Sequence, residues 1–101
     1  MIEIIELNTF YLRLKGLMFR KNIYNNNAYL IANCRGIHTC FMMFDINVIG
    51  FNRSKEVVEI ACVRPWKVKF FEKTVVDIVE CDLSTSIDAV VKRYREERGE
   101  I

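Results

Sequence analysis

Phe44-Asp45-Ile46-Asn47-Val48-Ile49-Gly50-Phe51, then Asn52-Arg53-Ser54-Lys55, then Glu56-Val57-Val58-Glu59-Ile60-Ala61-Cys62-Val63, is the stretch that decides the fold. Two apolar runs of strand length flank a polar turn, which is the signature of a β-hairpin. Side chains alternate across a strand, so Phe44, Ile46, Val48 and Gly50 share one face of the first run. Asp45, Asn47, Ile49 and Phe51 share the other, which passes from polar to apolar along its length. A strand that leaves a rim and enters a second packed layer has that pattern. On the returning run, Val58, Ile60 and Cys62 are expected to point inward.

Beyond the hairpin, Val63-Arg64-Pro65-Trp66 ends the strand at the only proline, a residue with no N–H for a ladder. Trp66–Phe71 alternates weakly, with Lys67 and Lys69 opposite Val68 and Phe70. Val75–Leu83 is a further strand whose alternation changes phase between Ile78 and Val79. A bulge, or burial on both faces, produces such a break. Ile87, Val90, Val91 and Tyr94 then recur at helical spacing, after a capping-box-like Thr85-Ser86-Ile87-Asp88 and before Gly99 as a stop.

Toward the start, Ala28–Ala32 is a short apolar strand, and Asn33-Cys34-Arg35-Gly36 turns into Ile37-His38-Thr39-Cys40-Phe41-Met42-Met43. Lys21–Asn27 has the composition of a polar loop. Phe10, Leu12 and Leu14 alternate with Tyr11, Arg13 and Lys15 as a strand would, and Gly16-Leu17-Met18-Phe19-Arg20 reads as a turn with an apolar plug. Strands within residues 1–83 and one helix over about 85–98 make a single α+β domain over 1–101, mostly β. The expected architecture is a small, partly closed β-barrel or sandwich-like sheet with one C-terminal amphipathic helix packed on it.

With 51% hydrophobic and 28% charged residues and a formal net charge of +2, the chain lies far from the disordered regime. That small charge also weighs against nucleic acid as a partner. The opening Met-Ile-Glu-Ile-Ile-Glu-Leu carries acids where a secretory signal needs a basic region, and no apolar run reaches the length of a membrane span. A cytoplasmic location follows as the expectation, with Cys34, Cys40, Cys62 and Cys81 reduced and packed as small hydrophobes. Cys34, His38 and Cys40 lie close in sequence, but the paired Cys-x-x-Cys spacing of structural zinc sites is missing. No metal and no cofactor are assigned.

Three blocks make the chain similar to the DUF192 family, small prokaryotic domains without an assigned function. They are Gly16-Leu17-Met18-Phe19-Arg20, His38–Phe51, and Val79-Glu80-Cys81. The resemblance runs to about Leu83 and implies a β-rich, partly closed barrel-like fold, with no reaction, cofactor or substrate attached. Two features depart from the family pattern: Asn47 stands where the family commonly has Asp, and where many members end in a short turn and a further strand this chain carries the longer Ser84–Gly99 helix. If the polar members of the blocks, Arg20, His38, Asp45, Asn47 and Glu80, converge at one rim, they form a small ligand-binding pocket of mixed charge. Alternatively, Arg20 and Glu80 form a structural ion pair.

The function expected is a non-enzymatic accessory domain that holds a small polar ligand or a protein partner, as a monomer or weak homodimer with no membrane contact. An enzyme using His38 with Asp45 or Glu80 as acid and base is the competing class. Against it, a lone His at a strand end more often bonds a backbone group. A third class, single-stranded nucleic-acid binding through Trp66 and Phe70, competes with edge-strand protection by lysines and proline, which the low net charge favours.

Overall fold

Residues 2–7 and 26–98 are described by the computed structural model. The strand expected over Phe10–Lys15 and the block Gly16–Arg20 lie outside the described residues. Within them the order is β1 (Glu3–Glu6), β2 (Asn27–Ala32), β3 (Gly36–His38), β4 (Ile46–Phe51), β5 (Val57–Val63), β6 (Val68–Phe70), β7 (Asp77–Asp82) and α1 (Ile87–Arg98). The main sheet runs β1-β2-β7-β4-β5, and β3 and β6 form a separate two-stranded sheet. Among the described residues only β1 and β2 pair in parallel, and every other pairing is antiparallel. No closed barrel forms among the described residues: the domain is a main sheet with a small sheet on one side and a helix on the other.

The alternation read from the first run of the hairpin holds. Ile46 and Val48 of β4 join Tyr29, Ile31 and Ile78 in one apolar layer, which Ile37, Met42, Phe71 and Val75 complete. Ile49 and Phe51 join Ala28, Leu30, Val79 and Cys81 in the other, closed by Val90 and Tyr94 of the helix. The central strand β7 is buried on both faces, which explains its break in alternation without any bulge of its own. Gly50 allows the chain to cross closely over the sheet, since a Cβ there would sit 2.9 Å from Val75 Cγ2 and 3.2 Å from Phe71 Cδ1.

β5 corrects the inward assignment of Ile60 and Cys62. The β4–β5 register steps from Gly50↔Glu59 to Phe51↔Val57, leaving Val58 as an extra residue. That bulge shifts the phase of the strand. Val58, Ala61 and Val63 face the first layer, while Ile60, 46% exposed, and Cys62 turn to the helix side beyond the helix's reach. The preceding turn is held by Asn52, whose Oδ1 accepts the N–H groups of Ser54 (2.9 Å) and Glu56 (3.0 Å).

The helix starts one residue later than the capping box suggests. Ser86 is the cap: its Oγ accepts the Ala89 N–H at 3.2 Å and its carbonyl accepts the Val90 N–H at 3.1 Å. Thr85 is buried instead, its N–H bonded to the Asp82 carbonyl at 3.0 Å. Tyr94 fixes the helix to the sheet. Its ring stacks on Phe51 with centroids 3.8 Å apart, and its hydroxyl donates to buried Asp77 Oδ2 at 2.6 Å. Burial, together with that bond to Asp77, holds the phenol proton well above its ordinary range.

Tyr94→Phe keeps the stack and removes only the hydroxyl. A hydrogen bond to a charged acceptor contributes about 1.5–3 kcal/mol, and a loss of that size is the expected shift in urea denaturation. A loss under about 0.5 kcal/mol would show that the bond does not hold the helix.

Candidate functional site

The most unusual local structure lies where the small sheet ends. β3 and β6 pair Gly36↔Phe70, Ile37↔Lys69 and His38↔Val68. Ile37 packs into the core, so Lys69 shares the inner face, and His38, Val68 and Phe70 face outward together. The lysine is the inward member of β6. Its Nζ lies 2.5 Å from Glu59 Oε2 and 5.2 Å from the centre of the Phe71 ring. The Lys69 ammonium and the Glu72 N–H both bond Glu59, and these hold its carboxyl below the usual range.

Thr39, fully buried, ties off the end of this sheet. Its hydroxyl donates to the Arg64 carbonyl at 2.5 Å and accepts the Lys67 N–H at 2.8 Å. Its own N–H donates to the Lys67 carbonyl at 2.8 Å, and its carbonyl accepts the N–H groups of Trp66 (2.9 Å) and Met42 (3.2 Å). Two turns are thereby held back to back, and each carries an aromatic residue at positive φ: 65° at Phe41 and 63° at Trp66. Bulky side chains rarely adopt that backbone. The two rings meet with centroids 4.6 Å apart, tilted by 59°.

Around them lies an exposed apolar surface. Trp66 is 60% exposed, Val68 64% and Phe70 75%, with Met43 and Phe41 also exposed. Phe70 lies against the backbone of Gly36, where a Cβ would come within 2.9 Å of its Cδ1. Beside β6, a trough of about 400 Å³ runs between β5 and β6, with Cys62, Arg64, Lys67, Val68 and Lys69 among its walls.

The residues singled out from the sequence are distributed rather than gathered. His38 is on the outer face of the small sheet, and its Nδ1 accepts the Cys40 N–H at 3.3 Å, the backbone role expected for a His at a strand end. Asp45 is half-buried just before β4. Asn47 pairs with Cys81 and so faces the helix side, whereas Glu80 pairs with Val48 and Tyr29 and faces the other layer. Asn47 and Glu80 are therefore on opposite faces of the main sheet. Arg20, and with it an ion pair to Glu80, lies outside the described residues. Burial pushes the Glu80 carboxyl up to about 7, and the thiol of neighbouring Cys81 is pushed up to about 11 by burial and the nearby acids. Among the described residues, no three His, Cys, Asp or Glu side chains cluster closely enough to hold a metal ion. No helix among them is long and apolar enough to cross a membrane. Thr39 and the outward set Phe41, Trp66 and Phe70 carry more of the local architecture than sequence suggests.

The fold and the surface describe a small two-sheet α+β domain with a terminal helix. Residues 2–89 match the family model DUF192, "Uncharacterized ACR". The chain belongs to the DUF192 family. It is 30% identical over 102 residues to a UPF0127 protein of Thermococcus sibiricus, covering 87% of this chain and 66% of that one. It is 38% identical over 69 residues to a UPF0127 protein of Pyrococcus furiosus, covering 65% and 60%. The chain thus spans just under two thirds of the length of these relatives. A crystal structure of a protein of unknown function from Novosphingobium aromaticivorans superposes with a TM-score of 0.73 at 14% identity, covering 90% of this chain and 69% of that one. That likeness shows the fold.

Two substitutions test these assignments. Thr39→Val removes the hydroxyl that bonds both the Arg64 carbonyl and the Lys67 N–H, so a loss of about 1–3 kcal/mol is expected in urea denaturation; an unchanged midpoint would show that the turns hold themselves. Glu80 keeps its proton in the folded state at pH values where the unfolded chain has lost it. The stability it contributes is therefore fully present below about pH 4.5 and is lost as pH rises through about 7. Glu80→Gln should abolish that decline, which is on the order of 3 kcal/mol. Parallel declines in parent and variant between pH 5 and 8 would assign the pH dependence elsewhere.

Proposed function

We propose that this chain is a non-enzymatic binding domain whose working surface is the outer face of β3 and β6 with the two turns beside it. The observation that carries this reading is the pair Phe41 and Trp66, held at positive φ by Thr39 and left exposed. Such a backbone costs on the order of 1–3 kcal/mol per residue and persists where the surroundings enforce it, often at binding sites. A chain that needed only to turn there would carry Gly or Asn. Together with Met43, Val68 and Phe70, these rings form an apolar patch of the kind that marks interaction sites. His38 belongs to this surface through its place opposite Val68. Asn47 and Glu80 belong to the interior of the sheet.

His38 acting with Asp45 or Glu80 as acid and base has less to stand on. Its Nδ1 already accepts a backbone N–H, and its position on the small sheet separates it from β7.

The test compares the parent protein with a Trp66→Ser, Phe70→Ser double variant, each purified from its native host at low salt and weighed by native mass spectrometry. Because both side chains are exposed, the variant should melt within about 2 °C of the parent. The expected result is extra mass on the parent that the variant lacks. Extra mass retained equally by both, or none on either, would overturn the reading.

A further inference from the structure

The outer face of the small sheet has a chemical character that narrows what can occupy it. Its three exposed rings are presented differently. Phe41 and Trp66 lean on one another, whereas Phe70 lies beside Gly36, with Cδ1 and Cε1 close to where a Gly36 Cβ would stand, and is 75% exposed. Val68 and Phe70 are same-face neighbours, about 7 Å apart along the strand. That spacing leaves room for a planar group to lie on Phe70 without meeting the next one. An exposed ring suits a planar ligand, whereas an aliphatic side chain is better held by a pocket.

The segments that carry these rings have a net positive charge. Segments 35–43 and 64–73 contain Arg35, Arg64, Lys67, Lys69 and Lys73, with Glu72 as their only acid. The chain as a whole carries only +2, so the remainder is slightly negative and the excess lies within these two segments. Glu59 engages Lys69 at 2.5 Å, and Glu72 is occupied by Thr74, whose N–H donates to it at 3.0 Å. Arg64 and Lys67, both exposed, are left to set the sign of the trough beside β6. Like charge disfavours a second copy of this chain on the same face.

We infer that the occupant is a single-stranded nucleic acid, with bases stacked on Phe70 and Trp66 and the sugar–phosphate strand lying along the trough at Arg64 and Lys67. The inference rests on the outer face of β3 and β6 being the working surface. Base stacking on exposed aromatics beside a cationic groove is the general mode of sequence-tolerant single-strand binding. Two or three phosphate contacts give a moderate salt dependence, about a tenfold loss of affinity between 50 and 200 mM salt.

Trp66 is the only tryptophan, so its fluorescence reports directly on the site. The intact protein is titrated at 50 mM KCl with a ten-nucleotide oligothymidylate, with an abasic deoxyribose-phosphate strand of the same length, and with an oligoglutamate peptide. The expected result is saturable quenching by the oligothymidylate. It should weaken at least about tenfold with the abasic strand, with Phe70→Ser, and at 200 mM KCl. No quenching at 50 mM KCl overturns the inference. So does equal binding of the abasic strand, which means a charge contact without stacking, or equal or tighter binding of the peptide. If these arms fail while the Trp66→Ser, Phe70→Ser variant still loses mass held by the parent, the surface is right and the occupant wrong. Failure of both removes the surface.

Discussion

β7 is denied water on both sides. Ile78 and Glu80 point into one apolar layer, Val79 and Cys81 into the other, and the strand bonds to β2 on one flank and β4 on the other. The remaining elements are consequences of that position. A strand buried on both faces needs a cover on each. The helix supplies one through Val90 and Tyr94, and the small sheet with the segment ending at Val75 supplies the other. The two polar groups admitted to this centre are treated differently. Asp77 is bonded by the Tyr94 hydroxyl and by the Asn33 N–H at 3.2 Å, while Glu80 is kept near neutrality by desolvation.

The small sheet behaves as a lid whose two surfaces have opposite tasks. Its inner side spends Ile37 on the core and directs Lys69 to Glu59. Its outer side carries His38, Val68 and Phe70, with the Phe41 and Trp66 rings adjoining at the turns. Thr39 makes this possible because one residue supplies both partners for the Lys67 peptide group and accepts the Trp66 N–H. Three-residue strands have too few ladder bonds to fix such turns alone, so a buried side chain completes the set.

Much of this was legible in the residues. The i, i+3, i+4 recurrence of Ile87, Val90, Val91 and Tyr94 marked a helix lying on something apolar, and the broken phase at Ile78–Val79 left a bulge or burial on both faces, of which the second is found. Alternation, however, separates two faces without saying which is inside. Lys67 and Lys69 stand opposite Val68 and Phe70 without any sign of which set faces out, and it is Glu59 on β5 that draws Lys69 in while Phe70 is exposed. The extra residue at Val58 escaped notice because Val57 and Val58 are equally good strand formers, and it alone reverses Ile60 and Cys62. The separation of Asn47 from Glu80 depends on the register between β4 and β7, a long-range pairing that short-range patterns do not encode. Thr39 looks like any strand threonine until its partners at Arg64 and Lys67 are in place.

The parallel pairing of β1 with β2 has a consequence for how the chain comes into being. Ile2 and Ile4 pack in the same layer as Val90 and Tyr94, and Arg98 reaches Glu6 at 3.1 Å. Residues early in this domain thus wait for its helix before their side of the sheet is sealed. Until then Leu30, Ile49, Phe51 and Val79 have no cover, and the nascent chain is a half-finished sheet exposed to its neighbours. Closure of that layer joins β1 to the helix, so the domain is completed only once that helix has been made.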